Sequence, residues 1–147
     1  MISVQKQDFN AMKLTKILLK KNNNVGAVSS FIGIVRNQNL GKKLISMKLE
    51  HYPGMTEKML KEIEEEAYKR WRIIDSIILH RYGILKPEEQ IVLVVTLSSH
   101  RIDAIESCHF LIDWLKTKGP FWKFEKTKNG GSWVDAKLSD NIAADKW

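Results

Sequence analysis

One cysteine, Cys108, is all the thiol chemistry this 147-residue chain holds. A single cysteine closes off an internal disulfide and any cysteine-built metal site. Its neighbours Ala104, Ile105, Leu111, Ile112 and Leu115 are apolar at helical spacing, so it reads as a small buried hydrophobe. Long apolar runs are missing too: nothing approaches the roughly 20 residues that span a bilayer. The opening segment from Met1 to Asp8 lacks the apolar centre of a signal peptide, which predicts a cytoplasmic protein. No repeat, low-complexity tract or linker divides the chain, so residues 1–147 are expected to form a single domain with a real core. The glycines make no phosphate-loop or dinucleotide fingerprint. His51, His80 and His109 have no metal-ligand spacing, which leaves them structural roles and predicts no metal site.

Positive charge is what the chain has in excess, with a formal net charge of +7. That invites a nucleic-acid reading, but the distribution argues against it. The stretch from Glu57 to Glu66 is acidic, whereas Lys116, Lys118, Lys123, Lys126, Lys128 and Lys137 face only Glu125 and Asp135. The cations are gathered around one candidate pocket, and no known nucleic-acid motif accompanies them.

The hydrophobic pattern predicts a mixture of strands and helices. Ile2–Gln5 is a short strand. Asp8 or Asn10 caps a helix carrying Met12, Leu14, Ile17, Leu18 and Leu19. Val25–Val35 is a long strand with close-approach or bulge points at Gly26 and Gly33, followed by a polar loop over 36–43 and a strand over Leu44–Tyr52. Thr56 caps a helix to about Trp71; strands follow over Ile73–Tyr82 and Ile91–Leu97, the second apolar throughout. A helix from Ile102 ends before Gly119-Pro120, and Phe121–Thr127 with Ser132–Ala136 forms a hairpin around Asn129-Gly130-Gly131. Consecutive strands often have no helix between them, which predicts an α+β fold with a largely antiparallel sheet.

The candidate site follows from that order. His100 and Arg101 end a buried strand at a helix start, where free backbone N–H groups favour an anion. His100 is open to proton transfer, to donation to a phosphate, or to a capping role. Lys116 and Lys123 come back from the far end of the helix. If the chain folds back there, the four groups share one pocket suited to a small anionic substrate. Lys116 has blander options, the helix dipole or an ion pair with Asp113. Its functional reading requires partial desolvation beside other cations, which would leave a neutral amine for acid–base or covalent work. Arg36 opens a polar loop, and a guanidinium holds phosphate through paired hydrogen bonds. On a strand, Lys123 points with Phe121 and Glu125, and Trp122 and Phe124 point the other way.

Five blocks then occur in order: Phe31 to Gly41, Leu49-Glu50-His51-Tyr52-Pro53-Gly54-Met55, His80-Arg81-Tyr82-Gly83, Ser99-His100-Arg101, and Leu115 to Lys123. Together they resemble the large, catalytic subunits of the molybdopterin synthase family, over nearly the whole chain from about Val25 to Trp147. The resemblance implies an α/β-hammerhead-type fold with additional strands. It implies an enzyme that converts cyclic pyranopterin monophosphate (precursor Z) to molybdopterin in molybdenum cofactor biosynthesis. Two sulfurs arrive on the C-terminal thiocarboxylate of a small ubiquitin-like carrier subunit, so no cofactor is permanently bound and no catalytic cysteine is needed. Two large subunits and two carriers form a heterotetramer around a central homodimer. Carried over by position, Lys116 is acid–base or a transient covalent partner of the carrier tail, and Lys123 orients the thiocarboxylate or stabilises developing charge. Arg36, His100 and Arg101 hold the substrate phosphate. Ile34-Val35-Arg36 and Lys123-Phe124-Glu125 line the pocket, partly through backbone. The chain departs from the family at Lys137, where the family often has an arginine implied to reach the neighbouring subunit's pocket; lysine keeps the charge and loses the planar fork.

Overall fold

In chain order the elements are β1 (Ile2–Gln5), α1 (Ala11–Lys21), β2 (Ala27–Ile34), β3 (Gln38–Asn39), β4 (Lys42–His51), α2 (Met55–Arg70), β5 (Ile73–Arg81), β6 (Gly83–Leu85), β7 (Gln90–Ser98), α3 (Arg101–Lys118), β8 (Phe121–Thr127), β9 (Gly130–Val134) and α4 (Leu138–Asp145). The structure, a computed structural model, describes residues 1–135 and 137–147. One sheet has the order β1-β5-β7-β2, antiparallel except where β1 joins β5; a second has the order β3-β4-β8-β9, with β6 also on β4. This is the expected α+β class with predominantly antiparallel pairing.

The first sheet is covered on both faces, which is why its central strand β7 reads as an apolar run over Ile91–Leu97. Ile78, Val92 and Val94 pack with Leu60, Ile63 and Ala67 of α2 and with Cys108, Phe110 and Leu111 of α3. On the other face Ile77, Leu79, Leu93 and Val95 meet Leu18 of α1. Cys108 is buried as expected, and burial pushes its thiol pKa upward, away from the thiolate needed for nucleophilic work. Among the described residues no helix is long and apolar enough to cross a membrane.

Asn10 is the cap of α1, its Oδ1 accepting from Lys13 N at 2.9 Å. Thr56 is not the cap of α2. Gly54 occupies that position at φ 83°, its N–H donating to Glu57 Oε2 at 2.7 Å, and Thr56 instead ties its hydroxyl back to Tyr52. The loop expected over 36–43 contains a tight hairpin, β3 to β4, turning on Leu40 and Gly41 at φ 50° and 75°. Two left-handed residues make the turn that suits strand twist; leucine is a poor resident there, which is why the sequence concealed it. The β8–β9 hairpin turns one step early, with Thr127 paired to Gly130, so both glycines belong to β9. Gly131 lies under the Phe124 ring, where a Cβ would collide. Of the expected strand Ser132–Ala136, residues up to Val134 are in β9, and Ala136 lies outside the described residues. β6 and α4 were not foreseen; α4 buries no residue and so carries little hydrophobic signal.

Candidate active site

A cleft of about 550 Å³ opens where the C-terminal end of α3, the last residues of β2, one face of β8 and the approach to α4 converge. Gly119 makes the convergence possible. It caps α3 through its N–H to Leu115 O, and a Cβ there would strike that same oxygen, so only glycine lets the chain drop into β8 so abruptly. Alternation along β8 then does what its period dictates. Phe121, Lys123 and Glu125 line the cleft, whereas Phe124 turns to the opposite face and packs against Trp133 with ring centroids 5.3 Å apart. Phe124 is therefore placed outside the cleft lining.

Arg36, Lys116, Lys123 and Lys137 all line the cleft. Arg36 donates to Asn39 Oδ1 at 3.2 Å, and Asn39 Nδ2 donates to Glu125 Oε2 at 2.9 Å, which links the β3 hairpin to β8 across the site. Lys116 does not pair with Asp113. Its Nζ lies 3.6 Å from Asp140 Oδ1 of α4, while Asp113 is taken by His109, Lys146 and the Trp147 indole. With 43% of its side chain exposed, Lys116 is not the desolvated amine that the spacing suggested. Lys123 is. Burial first, then the Lys116 ammonium, pushes the Lys123 pKa below the ordinary lysine range; Asp140 and Glu125 resist the shift and Arg36 adds to it.

Ile34 lines the cleft with half its surface exposed. Val35 does not. Its side chain is buried with Met47, Leu49 and Leu85, and its backbone N–H and C=O are consumed by Glu89 O and Glu88 N. The Val35 N–H is therefore not available to a ligand.

His100 and Arg101 are the principal correction. A helix packed back along its preceding strand carries its C-terminus to the strand's start. β7 borders the cleft at Ile91 and Val92, and α3 returns to it at Ile112, Leu115 and Lys116, so His100 and Arg101 sit at the remote end. Fifteen residues of α-helix separate Arg101 from Lys116 by about 22 Å. Both remote residues are exposed, and His100 holds the N-cap position without a side-chain capping bond. They lie beside the beginning of β2, where Gly26 N donates to Ser98 O and Ala27 pairs with Ser98. Within one chain the reversal after Pro120 unites Lys116 with Lys123 and Arg36, and leaves the imidazole–guanidinium corner apart.

Asp140 and His80 line the cleft without having been marked as site residues in the sequence. Asp140 belongs to the unforeseen α4. His80 lies on β5 in step with Ile78, and strand alternation extended by one more pair would have found it on the buried face.

A family model described as MoaE protein matches residues 4–118. The chain belongs to the MoaE family. Across MoaE relatives, the molybdopterin synthase catalytic subunit of Ralstonia nicotianae is 47% identical over 146 residues, covering 99% of this chain and 83% of that one. The solved molybdopterin biosynthesis MoaE protein from Burkholderia ambifaria superposes with a TM-score of 0.86 at 46% identity, covering 100% of this chain and 97% of that one. Molybdopterin synthase from Staphylococcus aureus superposes with a TM-score of 0.83 at 30% identity over 90% and 95% of the two chains.

Proposed function

We propose that this chain is the catalytic subunit of a molybdopterin synthase, in which residues 1–147 act as one domain. It converts cyclic pyranopterin monophosphate to molybdopterin with sulfur delivered by the thiocarboxylate tail of a small ubiquitin-like carrier. The observation that carries this reading is the Lys116–Lys123 pair in a cation-lined cleft, on a chain of the MoaE family. Lys123, whose ammonium is held less firmly than an ordinary lysine's, takes up and returns a proton as sulfur adds to the pterin side chain. Lys116 keeps it that way by its charge and meets the carrier's terminal thiocarboxylate. Arg36 and Lys137 hold the substrate phosphate, and Glu125 fixes the Arg36 loop through Asn39. Sulfur arrives on the partner, so the site works with no resident cofactor and leaves Cys108 to the core. We place the reaction in the cytoplasm.

The second copy has a structural reason. β2 is an edge strand, with Val28, Phe31, Ile32 and Ile34 exposed and Ile102 and Ile105 exposed on the adjoining α3. Such an edge is a template for pairing. Antiparallel pairing of β2 with itself about a two-fold axis sets the start of one copy's strand against the end of the other's. That operation brings the Ser98–Arg101 corner of one copy to the Ile34–Arg36 end of its partner. His100 and Arg101 thereby complete a cleft in the other subunit, as phosphate ligands.

The test is reconstitution with thiocarboxylated carrier and cyclic pyranopterin monophosphate, with molybdopterin as the readout. Lys116→Ala is expected to lower turnover by about 10²–10³-fold with the fold intact. Near-normal turnover removes Lys116 from the chemistry, and absence of product from the unaltered protein ends the reading.

A further inference from the structure

The deepest polar group of the cleft has no part in the sulfur transfer described above. His80 is 3% exposed yet lines the cleft, on the β5 face that carries Ile78 toward the helices. Its ring lies flat on Phe121, with centroids 3.7 Å apart and planes inclined by 15°. Nδ1 stands 2.7 Å from the Arg81 carbonyl oxygen. A carbonyl only accepts, so the proton belongs on Nδ1 and Nε2 keeps its lone pair. Nε2 has no hydrogen-bond partner among the described residues and is not sealed from solvent. Burial is the main reason that the His80 pKa is pushed down to about 3; the Arg81 carbonyl opposes the shift, and Lys123 and His51 add to it. At neutral pH the ring is uncharged.

We propose that His80 Nε2 accepts a hydrogen bond from a ring N–H of the bound pterin, fixing the heterocycle inward and its phosphate toward the cationic rim. The inference rests on the catalytic reading above and adds to it the residue that reads the heterocycle. The cations of the cleft and its two paired carboxylates suit that task poorly. Arg36, Lys116, Lys123 and Lys137 can only donate when charged. Asp140 is engaged by Lys116, and Glu125 by Asn39. A carboxylate set among four cations is claimed by them, whereas a neutral imidazole offers a lone pair without adding charge. The surroundings agree: Val92, Ile112, Leu115 and Phe121 give His80 apolar company suited to the faces of a flat ring. Exposed Arg36 and Lys137 and partly exposed Lys116 stand farther out, where a phosphate keeps some of its hydration.

The decisive measurement uses unaltered protein labelled with ¹⁵N in its histidines and titrated with cyclic pyranopterin monophosphate. The unprotonated Nε2 resonance of His80 is expected to move as the pterin saturates, and to stay still when the carrier alone is added. In parallel, His80→Phe keeps a ring on Phe121 and removes the acceptor. It is expected to weaken pterin binding by about 10-fold or more, with carrier affinity unchanged. His80→Gln, which places a carbonyl oxygen near the position of Nε2, is expected to recover part of the loss. A stationary Nε2 signal at pterin saturation overturns the proposal, and so does a His80→Phe protein that binds pterin as tightly as the parent. Unaltered protein that binds no pterin fails the catalytic reading itself, a different result from either of these.

Discussion

The two ends of α3 carry similar side chains in opposite circumstances. At the front, His100 and Arg101 are exposed beside the start of β2, and neither makes a side-chain bond among the described residues. At the back, Lys116 is held by Asp140, and Lys123 is pressed between burial and neighbouring cations. Charge alone does not make a site; enclosure adds to it, because burial together with neighbouring cations loosens an amine's hold on its proton. The back end is an enclosed pocket wall. The front end is a cationic corner that acquires surroundings only when another surface arrives.

The largest effect expected from this contrast comes from breaking each end in separate copies. Arg101→Ala and Lys116→Ala are each expected to lower turnover by about 100-fold or more when alone. Co-expression of the two lets them associate at random. In a mixed two-fold dimer one cleft receives both lesions and the other neither, so about a quarter of all clefts are intact. Turnover near that fraction of the unaltered protein supports the shared site. If the mixture is as inactive as its components, the front of α3 does not serve the partner's cleft.

A second effect sharpens the contrast through stability. His80 is buried beside the back end, and its pKa falls from 6.5 to about 3 on folding. Above 6.5 the ring is neutral in both states and contributes no pH dependence. As pH falls from 6.5 toward 3, the unfolded chain takes up a proton that the folded chain refuses, so stability drops. Each tenfold difference in proton affinity is worth about 1.4 kcal/mol, which makes the total a few kcal/mol. Denaturant midpoints measured across that range should fall more steeply for the unaltered protein than for His80→Phe. Parallel curves would mean that His80 is not buried neutral. The same substitution at exposed His100 is the control.

Much of this contrast was legible in the sequence, and the limit on it is physical. A continuous apolar run located β7, and 3.6-residue spacing located α2 and α3, because burial on two faces or along one stripe writes those patterns strongly. The apolar run Ile91–Leu97 and the Gly119-Pro120 stop were enough to place Lys116 and Lys123 together. The same two signals also contained the direction of α3. A helix running back along β7 must end about 22 Å from where it begins, so proximity in the family motif concealed separation in the chain. The turn at Leu40-Gly41 was hidden by a residue type that rarely takes a positive φ, and α4 by its lack of a buried face. Asp140 was lost with α4, and with it the partner that Lys116 actually holds.

The smallest expected effect tests that partner. Lys116 and Asp140 are 43% and 26% exposed at 3.6 Å, a pair worth less than about 1 kcal/mol to folding. Asp140→Asn should therefore leave the melting temperature almost unchanged. Its consequence lies in the cleft. Asp140 is one of the two carboxylates that raise the Lys123 pKa against burial and the Lys116 charge. With that support gone, Lys123 loses its proton at lower pH. The ascending limb of kcat/KM against pH, if set by the free Lys123 amine, must move toward lower pH, and Glu125→Gln must move it the same way. A limb that stays fixed in both variants would assign the titrating base to another group; a limb that moves to higher pH would mean that the carboxylates act on something other than the Lys123 ammonium.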